Sequence, residues 1–379
     1  MNTCQSFLIR IRHLLLVVFN MKAGIAGAGI LGQLLAFALL KAGWEVTLFD
    51  FKKRRNCSEV AAGLLTPITE LDKNGLTIFK LGMEALNWHW PKIIAHLDKK
   101  IYFQKLGSLM LAHIKDHTGL THHIQMIAGK LESNQYYKHV NQQEINALEP
   151  QVTQFQQGYY FPAEGQLDSQ ALLKMLQDKL IASGVTWIKN AFVQAVRPGK
   201  ISLAQNDYLF DLVLDCRGLG AKNEFKNLRG VRGELIWLYA PAVTLTRPVR
   251  LIHPRYSLYI APRPRHQYVV GTSEIESDDL SPISLRTTLK LLTAAYSINS
   301  NFSEARIIKT VSQCRPTLSD NLPKINYSAG YIAINGLYRH GFLIAPSLVS
   351  EVLRWIEQGM SKLQYPELWE KKYDHDLNK

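Results

Sequence analysis

Three polar residues near the C-terminus stand inside an apolar stretch, and their types suit the binding of an anion. Asn335 to Ile356 reads NGLYRHGFLIAPSLVSEVLRWI, so Tyr338, Arg339 and His340 are neighbours and Gly341 follows them. A helix that begins near Gly341 would offer unpaired N–H groups and the positive end of its dipole. The stretch therefore predicts a site for a negatively charged group. The alternative is a helix with a solvated arginine at its end.

A glycine pattern near the other end of the chain suits a ligand that carries phosphates. Gly27, Gly29 and Gly32 have the spacing G-x-G-x-x-G, with Ile30 and Leu31 before the last glycine. The first glycine permits a tight turn, the second lets the backbone approach a pyrophosphate, and the third lets a helix pack on a strand. The N–H groups at the start of that helix would bind the phosphates. We expect all five residues to contact a dinucleotide.

The elements around these glycines complete a βαβ unit. They are a strand at 22–26, an Ala- and Leu-rich helix at 30–42 and a second strand at 44–49. Asp50 stands at the tip of the second strand, where a carboxylate accepts hydrogen bonds from both hydroxyls of an adenosine ribose. Phe51 follows as a further candidate contact. The basic run 52–55 would suit a 2′-phosphate instead, but Asp50 would repel that group.

Small residues after the second strand leave room for a bulky cofactor against the backbone. The stretch CSEVAAGLLTP spans residues 57–67. Its candidate contacts are Cys57, Ser58, Ala62, Gly63 and Leu64. Tight packing between a helix and a loop is the alternative.

The middle of the chain supplies two more candidate contacts. Asp168 or Ser169 would cap an amphipathic helix, after which two short strands follow. Residues 211–221 read as a buried strand that ends in glycines. Val193, between the short strands, and Gly218, after the buried one, would close over the same nucleotide. A plain buried strand and turn is the alternative for 211–221.

Length, composition and charge bound the class of protein. The 379 residues suffice for one large or two closely joined domains, with 47% hydrophobic and 20% charged residues. A net charge of +13 would suit an anionic partner, but the basic residues are scattered, which favours a generally basic surface. The four cysteines lie far apart without metal-type spacing, so we expect no metal and a cytoplasmic location. Residues 1–20 faintly resemble a signal peptide, and we expect a disordered tail or a true start at Met21.

Together these motifs resemble the FAD-dependent D-amino-acid oxidase family, and within it the glycine oxidases of thiamine biosynthesis in their proteobacterial form. The resemblance runs from Lys22 to about Gln358. Besides the βαβ unit it rests on AAGLLTP, LRGVRGE, RPVRLIHPRYSLYIAPRP, QYVVGTSEIE, CRPTLSDNLP and NGLYRHGFLIAP.

The resemblance implies an α/β fold in which a Rossmann-like FAD-binding domain is interleaved with an α+β substrate domain built on an antiparallel sheet. The FAD-binding domain would comprise residues 21–95, 141–224 and 319–379, and the substrate domain 96–140 and 225–318. FAD would be held non-covalently, because no cysteine follows Cys314. The terminal stretch would line the flavin with Leu337, Tyr338, Arg339, His340, Gly341, Phe342 and Leu343.

The same resemblance gives three residues a role in binding and orienting the substrate. Arg315 matches the family's carboxylate-binding arginine, Arg339 its second substrate-side arginine, and Tyr259 the tyrosine that closes over the substrate. A surface ion pair is the alternative for Arg315 and a core position for Tyr259. Two positions depart from the pattern: Ser257 stands where some glycine oxidases have histidine, and Glu274 where some have an apolar residue.

The implied activity is oxidation of glycine, or of a small amine or D-amino acid, to an imine. Water would convert the imine to glyoxylate or a 2-oxo acid and ammonia, while O₂ becomes H₂O₂. The imine would feed a thiazole synthase, with no nucleic-acid or membrane partner and with homo-oligomers left open. The +13 charge would also suit an alternative activity, that of a tRNA-modifying FAD oxidase that acts on an aminomethyl uridine. A D-amino-acid dehydrogenase and a nucleotide- or nucleic-acid-binding protein without catalysis also stay open.

Overall fold

Residues 21–52, 56–72, 75–253 and 256–372 are described by the computed structural model of the chain. The expectation for residues 1–20 concerns a stretch outside these ranges. The departure noted at Ser257 concerns a side chain that is likewise outside the described part of the chain. Within the described ranges, none of the helices combines the length and the apolar character that crossing a membrane requires.

The strands are numbered in chain order. The first eleven are β1 (Lys22–Ala26), β2 (Glu45–Asp50), β3 (Leu64–Leu65), β4 (Phe103–Gln104), β5 (Ser108–Leu111), β6 (Lys138–Asn141), β7 (Gln157–Phe161), β8 (Gly165–Leu167), β9 (Thr186–Lys189), β10 (Ala195–Arg197) and β11 (Lys200–Ser202). The others are β12 (Asp207–Leu209), β13 (Leu212–Asp215), β14 (Arg229–Tyr239), β15 (Val249–His253), β16 (Tyr256–Arg263), β17 (Gln267–Gly271), β18 (Ile275–Glu276), β19 (Arg306–Thr317), β20 (Lys324–Ser328), β21 (Tyr331–Asn335) and β22 (Trp369–Lys371).

The α-helices follow the same order. They are α1 (Ile30–Lys41), α2 (Cys57–Val60), α3 (Leu76–Glu84), α4 (Trp90–Ala95), α5 (His117–Ala128), α6 (Gln142–Leu148), α7 (Ser169–Ala182), α8 (Leu285–Ile298) and α9 (Gly341–Gln358). A π-helical turn, Ala85–His89, joins α3 to α4, and short 3₁₀ turns include Thr69–Asp72 and Gly218–Ala221.

The first large sheet is mostly parallel and carries the glycine pattern. Its seven strands have the order β22-β20-β21-β13-β1-β2-β9, and β1 pairs in parallel with both β2 and β13. Helices α1, α7 and α9 contribute buried apolar residues to the core that covers this sheet. β13 is buried throughout, as expected for a central strand covered on both faces.

The predicted local elements of this sheet are confirmed. The strand at 22–26 and the helix from Ile30 are present, and Gly43, with a φ of 84°, follows the end of that helix. Asp168 caps α7, because its side chain accepts from the N–H groups of Gln170 and Ala171 at 3.1 and 3.0 Å.

The second large sheet has nine strands in the order β18-β14-β17-β16-β15-β5-β7-β6, with β19 paired to β14. Its pairs are antiparallel except β5 with β15. Helix α8 packs on one face, where Leu291 and Ile298 join the same core as Ile236 of β14. β7 lies in the range 141–224, so this sheet takes a strand from a range that the sequence division gave to the FAD-binding domain.

Two three-stranded sheets complete the fold, in the orders β3-β8-β4 and β10-β11-β12. The range 96–140, expected to hold short strands, also contains α5. The expected fold class is confirmed: a parallel, helix-covered sheet of the dinucleotide-binding kind is interleaved with a largely antiparallel one.

Candidate active site

The glycines of the N-terminal pattern interlock with the neighbouring strand. Gly27 has a φ of 106°, and a Cβ added to it would lie 2.5 Å from the carbonyl oxygen of Cys216. A Cβ on Gly32 would overlap the carbonyl oxygen of Gly27. Glycine is therefore required at both places. At Gly29 the added Cβ would touch Ser58 Oγ alone, at 3.1 Å, so the backbone there borders open space.

The N-terminus of α1 is equipped to bind an anion. The N–H of Ile30 donates to Ser58 Oγ at 3.0 Å, and Leu31 is buried in the helix behind it. The first turn of α1, all of it within the described chain, contains no acidic residue. Helix N–H groups and a nearby hydroxyl form a suitable site for phosphate.

Asp50 ends β2 as expected, and a tryptophan fixes its carboxylate. Trp187 Nε1–H donates to Asp50 Oδ2 at 3.3 Å, and burial raises the pKa of Asp50. A cavity of about 240 Å³ opens beside the carboxylate, with Gln33 and Lys52 in its wall. The oxygen that Trp187 does not bind is suited to accept from a ribose hydroxyl.

Three further residues that were expected to contact the cofactor make contacts within the protein. Phe51 is 46% exposed and packs edge-on against a neighbouring phenylalanine ring. The carbonyl of Val193 accepts from Arg217 Nη1 at 3.1 Å. The carbonyl of Gly218 accepts from Asn335 Nδ2 at 2.9 Å, which links the end of β13 to the end of β21.

A cavity of about 730 Å³ gathers the remaining candidates between the two large sheets. From the dinucleotide-binding part it is lined by Ile30, Cys57, Ser58, Ala62, Gly63, Leu64, Tyr338, Arg339, His340, Gly341, Phe342 and Leu343, and from the second sheet by Tyr259 and Arg315. Of the described residues expected at the cofactor, those outside this lining are Gly27, Gly29, Leu31, Gly32, Asp50, Phe51, Val193, Gly218 and Leu337.

The chain turns sharply before α9, so that this helix starts at the cavity. Tyr338 has a φ of 48°, rare for a residue with a side chain, and its N–H donates to the carbonyl of Pro316 at 3.0 Å. α9 begins at Gly341, as the sequence predicts. A Cβ on Gly341 would meet nothing nearer than Ile30 Cγ2, at 3.9 Å. The start of the helix therefore borders space that a planar ring can occupy.

Pro346 lies inside α9, and the sequence left open whether it begins or bends the helix. Proline has no N–H, so the carbonyl of Phe342, four residues earlier, loses its usual donor. Trp90 Nε1–H replaces that donor, with a hydrogen bond of 3.0 Å to the Phe342 oxygen. The first turn of α9 is therefore held by a side chain from α4.

Arg315 lies on β19 with its guanidinium against Gly233 of β14. Nη2 donates to Thr272 Oγ1 at 2.8 Å, and Nη1 donates to the carbonyl of Ser273 at 3.4 Å. A Cβ on Gly233 would overlap the guanidinium, so the glycine makes this position available. Burial lowers the pKa of Arg315, but an arginine starts so far above neutral pH that it stays charged. Its partners are neutral, which leaves its charge for an incoming carboxylate.

Tyr259 lies on β16, between Arg250 of β15 and Gly271 of β17. It is half-buried in the wall of the cavity. Burial raises its pKa, although the guanidiniums of Arg315, Arg250 and Arg339 oppose that shift. The hydroxyl therefore stays protonated at neutral pH and can donate a hydrogen bond into the cavity.

Glu70, which the sequence patterns do not single out, fixes Arg339. It belongs to the 3₁₀ turn Thr69–Asp72, and its Oε2 accepts from Arg339 Nε at 2.5 Å. Its Oε1 accepts from Arg250 Nη2 at 3.2 Å, and Oε2 lies 3.5 Å from His340 Nδ1. Glu70 and Arg339 are 269 residues apart, so no local pattern could have paired them.

The charges around Glu70 are set by opposing effects. Burial alone would raise the pKa of Glu70, but the positive charges of Arg339, His340 and Arg250 lower it to about 2. Burial lowers the pKa of His340 to about 4, so its ring is neutral at pH 7 and the single Glu70 carboxylate is then shared by two guanidiniums, those of Arg339 and Arg250. Glu274, one of the two departures from the family pattern, lies 3.7 Å from Arg339 Nη1 at the cavity rim.

Cys57, the thiol in the cavity wall, is not suited to nucleophilic catalysis. Cys57 Sγ–H donates to the carbonyl of Cys314 at 2.7 Å, and burial raises the pKa of Cys57 to about 12, so it is a poor nucleophile. Cys216 and Cys314 are also free thiols. Across the ranges that the structure describes, no three His, Cys, Asp or Glu side chains are placed to hold a metal ion.

This arrangement fits a dinucleotide that carries a planar ring. The α1 N-terminus with Ser58 would hold the pyrophosphate, and Asp50 the ribose. The ring would lie against the backbone at Gly341, with Arg315 and Tyr259 on the side of the second sheet. A fixed cation, a hydroxyl donor and a helix N-terminus would then surround a substrate carboxylate and a reducible ring.

Comparison with known proteins identifies the family. The family model described as FAD dependent oxidoreductase matches residues 22–352. A Rhizobium etli protein with the provisional name thiamine biosynthesis oxidoreductase ThiO is 33% identical over 344 residues, which are 89% of this chain and 98% of that protein. A Nostoc protein named bifunctional protein ThiO/ThiG is 24% identical over 365 residues, which are 89% of this chain and 53% of that protein.

A solved structure supports the fold independently. The glycine oxidase from Bacillus cereus matches with a TM-score of 0.79, over 92% of this chain and 99% of its own, at 18% identity. The glycine pattern, the cavity beside Gly341 and the family match over 22–352 lead to the same conclusion. The chain belongs to the FAD dependent oxidoreductase family, and its cofactor is FAD.

Proposed function

We propose that the protein oxidises glycine, or another small amino acid or amine, to the corresponding imine. The observation that carries the proposal is Arg315, a charged guanidinium whose hydrogen bonds go to neutral oxygens in the cavity where α9 begins. A substrate carboxylate would form a bidentate pair with this planar group. Tyr259 would close over the substrate from the neighbouring strands.

The reaction needs an electron acceptor but no nucleophile from the protein. Bound FAD supplies the two-electron acceptor. The substrate loses a hydride from its α-carbon and a proton from its nitrogen, and the C–N single bond becomes C=N. Water then adds to the imine and releases ammonia, which leaves glyoxylate from glycine. O₂ takes up the two electrons and two protons and becomes H₂O₂.

The residues of the site would orient the substrate rather than attack it. Arg315 would fix the carboxylate, and the Tyr259 hydroxyl would limit how the rest of the molecule turns. The helix N-terminus at Gly341 would favour negative charge on the reduced ring. His340, which burial keeps neutral, is given no proton-transfer role.

A place in thiamine biosynthesis is the finer part of the proposal. It is supported by the names of two relatives, one for thiamine biosynthesis and one for a chain that joins ThiO to ThiG. An imine hydrolyses readily in water, so an enzyme that uses it would benefit from receiving it directly. A thiazole synthase is the partner that we propose.

The test starts with colour. Purified protein should be yellow, and under anaerobic conditions the yellow should bleach on addition of glycine. A panel of glycine, sarcosine and small D-amino acids, assayed for peroxide in air, then ranks the substrates. Bleaching without peroxide would point to a dehydrogenase. Protein that holds FAD but bleaches with none of these compounds would contradict the proposal.

A further inference from the structure

The two arginines of the cavity are compensated to very different extents. Arg339 donates to Glu70 at 2.5 Å and has Glu274 at 3.7 Å. Arg315, in the described part of the chain, has hydrogen bonds only to the hydroxyl of Thr272 and the carbonyl of Ser273. A carboxylate entering the cavity therefore meets one guanidinium whose hydrogen bonds go to neutral groups and one that is paired directly with carboxylates.

Glu70 is held rigidly enough to impose this difference. The N–H groups of Ile68 and Thr69 donate to Glu164 Oε1 at 3.0 and 2.7 Å, and Ser108 Oγ donates to Glu164 Oε2 at 2.5 Å. These bonds fix the turn that carries Glu70. The Glu70 side chain is only 9% exposed, and its second oxygen is occupied by a guanidinium from the second sheet.

We propose that Glu70 is a positioning residue. Its ion pair with Arg339 leaves Arg315 as the single seat, meaning the only binding position, for the substrate carboxylate. The inference rests on the proposed function, because it names the seat of the substrate that the function requires. Without the Glu70 charge, Arg339 becomes a second seat of similar strength. A substrate that occupies it would hold its α-carbon away from the reacting position.

The proposal predicts a combination of effects on acetate binding, kcat and KM that a loss of folded structure would not produce. Glu70→Gln keeps the shape of the side chain but removes its charge. A small carboxylate without an amine, such as acetate, should then bind more tightly, by about fivefold, because one screened charge opposing it has gone. For glycine, kcat and KM should fall together, since unproductive binding at the second seat lowers both.

The measurement is a titration of the FAD-loaded protein with acetate, followed by the flavin absorbance spectrum. Glu70→Asp retains the charge and should bind acetate within about twofold of the unmodified protein. Glu144→Gln, which removes an exposed carboxylate paired with Lys138, is the matched control and should also leave the acetate Kd unchanged. An acetate Kd that is unchanged or weaker in Glu70→Gln overturns the proposal, and so does equal tightening in Glu70→Asp.

If Glu70→Gln does not fold, a second pair of variants tests whether Arg315 alone binds the carboxylate. Arg315→Gln should weaken acetate binding at least about tenfold, whereas Arg339→Gln, which removes one screened charge, should weaken it by no more than about fivefold. Equal weakening by both substitutions overturns the single-seat proposal. The acetate titration needs no turnover. If the protein binds acetate but oxidises no amine, the proposed function fails while the role of Glu70 is still decided.

Discussion

At the scale of single residues, the candidate site depends on which groups can approach an arginine. Gly233 matters because it has no side chain: the guanidinium of Arg315 lies where its Cβ would be. Thr272 and Ser273 then hold that guanidinium by neutral oxygens. A charged group can be presented to a substrate in a buried place only when its hydrogen bonds are satisfied without cancelling its charge.

Gly233→Ala tests this directly. The added methyl group would push the Arg315 guanidinium out of its position, so KM for glycine should rise about tenfold or more. The φ of Gly233 is not in the left-handed region, so alanine does not strain the strand, and FAD content should be unchanged. Steady-state kinetics and the flavin absorbance of the purified variant measure both effects.

Gly75→Ala is the control, since an added Cβ there has nothing within 4 Å. It should leave KM unchanged. A Gly233→Ala protein with unaltered KM would mean that Arg315 does not bind the substrate from the position described.

The sequence could predict those residues whose role is fixed by near neighbours. Gly27 and Gly32 follow from a fixed spacing, and Asp168 from its place before an amphipathic helix. Glu70 and Gly233 could not be found in this way, because the arginines that they contact, Arg339 and Arg315, are 269 and 82 positions away. One pair is created by the pairing of β14 with β19 and the other by the packing of a 3₁₀ turn against the start of α9, and a single sequence carries no local sign of them.

At the scale of elements, we propose that two helix N-termini serve the same ligand. α1 begins at the glycine pattern and α9 begins at Gly341, and the two starts approach each other closely, since a Cβ on Gly341 would be 3.9 Å from Ile30 of α1. Each offers N–H groups without an intrahelical acceptor. The hydrogen bond from Trp90 keeps the first turn of α9 intact in spite of Pro346.

Gly341→Ala should separate cofactor binding from folding. Alanine is favourable at the first position of a helix, so the stability of the FAD-free protein should be equal or slightly higher. The new methyl group would project into the space reserved for the ring, and FAD affinity should fall about tenfold or more. Quenching of FAD fluorescence gives the Kd, and thermal unfolding without FAD gives the stability.

Gly119→Ala on α5 is the matched substitution, because its added Cβ makes only an ordinary contact of 3.8 Å with Ile252. It should leave the Kd for FAD unchanged. If Gly341→Ala binds FAD as tightly as the unmodified protein, the ring does not lie against the start of α9.

At the scale of the whole molecule, a buried carboxyl group links the small sheet β3-β8-β4 to the second large sheet. Glu164 precedes β8 of the small sheet, and it accepts hydrogen bonds from Ile68 and Thr69 at the turn that carries Glu70 and from Ser108 of β5. Its side chain is fully buried. Burial raises the pKa of Glu164 to about 7, and the hydrogen bonds from Ser108 and Thr69 only partly oppose this. The free energy of unfolding of the protein should therefore depend on pH.

The direction follows from the proton balance of Glu164. Its pKa is about 7 in the folded protein and 4.5 when exposed in the unfolded chain. Between these values the folded state holds a proton that the unfolded state has lost, so the free energy of unfolding falls as pH rises from 4.5 to 7. The contribution is complete below pH 4.5 and is lost above pH 7, a change of roughly 3 kcal/mol.

Glu164→Gln should abolish this slope, because an amide cannot lose a proton in that range. His340 acts in the opposite direction between pH 4 and 6.5, since burial lowers its pKa, but it does so equally in both proteins. Glu70 titrates below this window and is likewise common to both.

The quantity to measure is therefore the difference in free energy of unfolding between the two proteins, by urea titration at about pH 5 and about pH 7.5. That difference should shift by roughly 2–3 kcal/mol in favour of the glutamine variant at the higher pH. If that difference is the same at both pH values, Glu164 is already charged at the lower pH. Its hydrogen bonds would then lower its pKa by more than burial raises it.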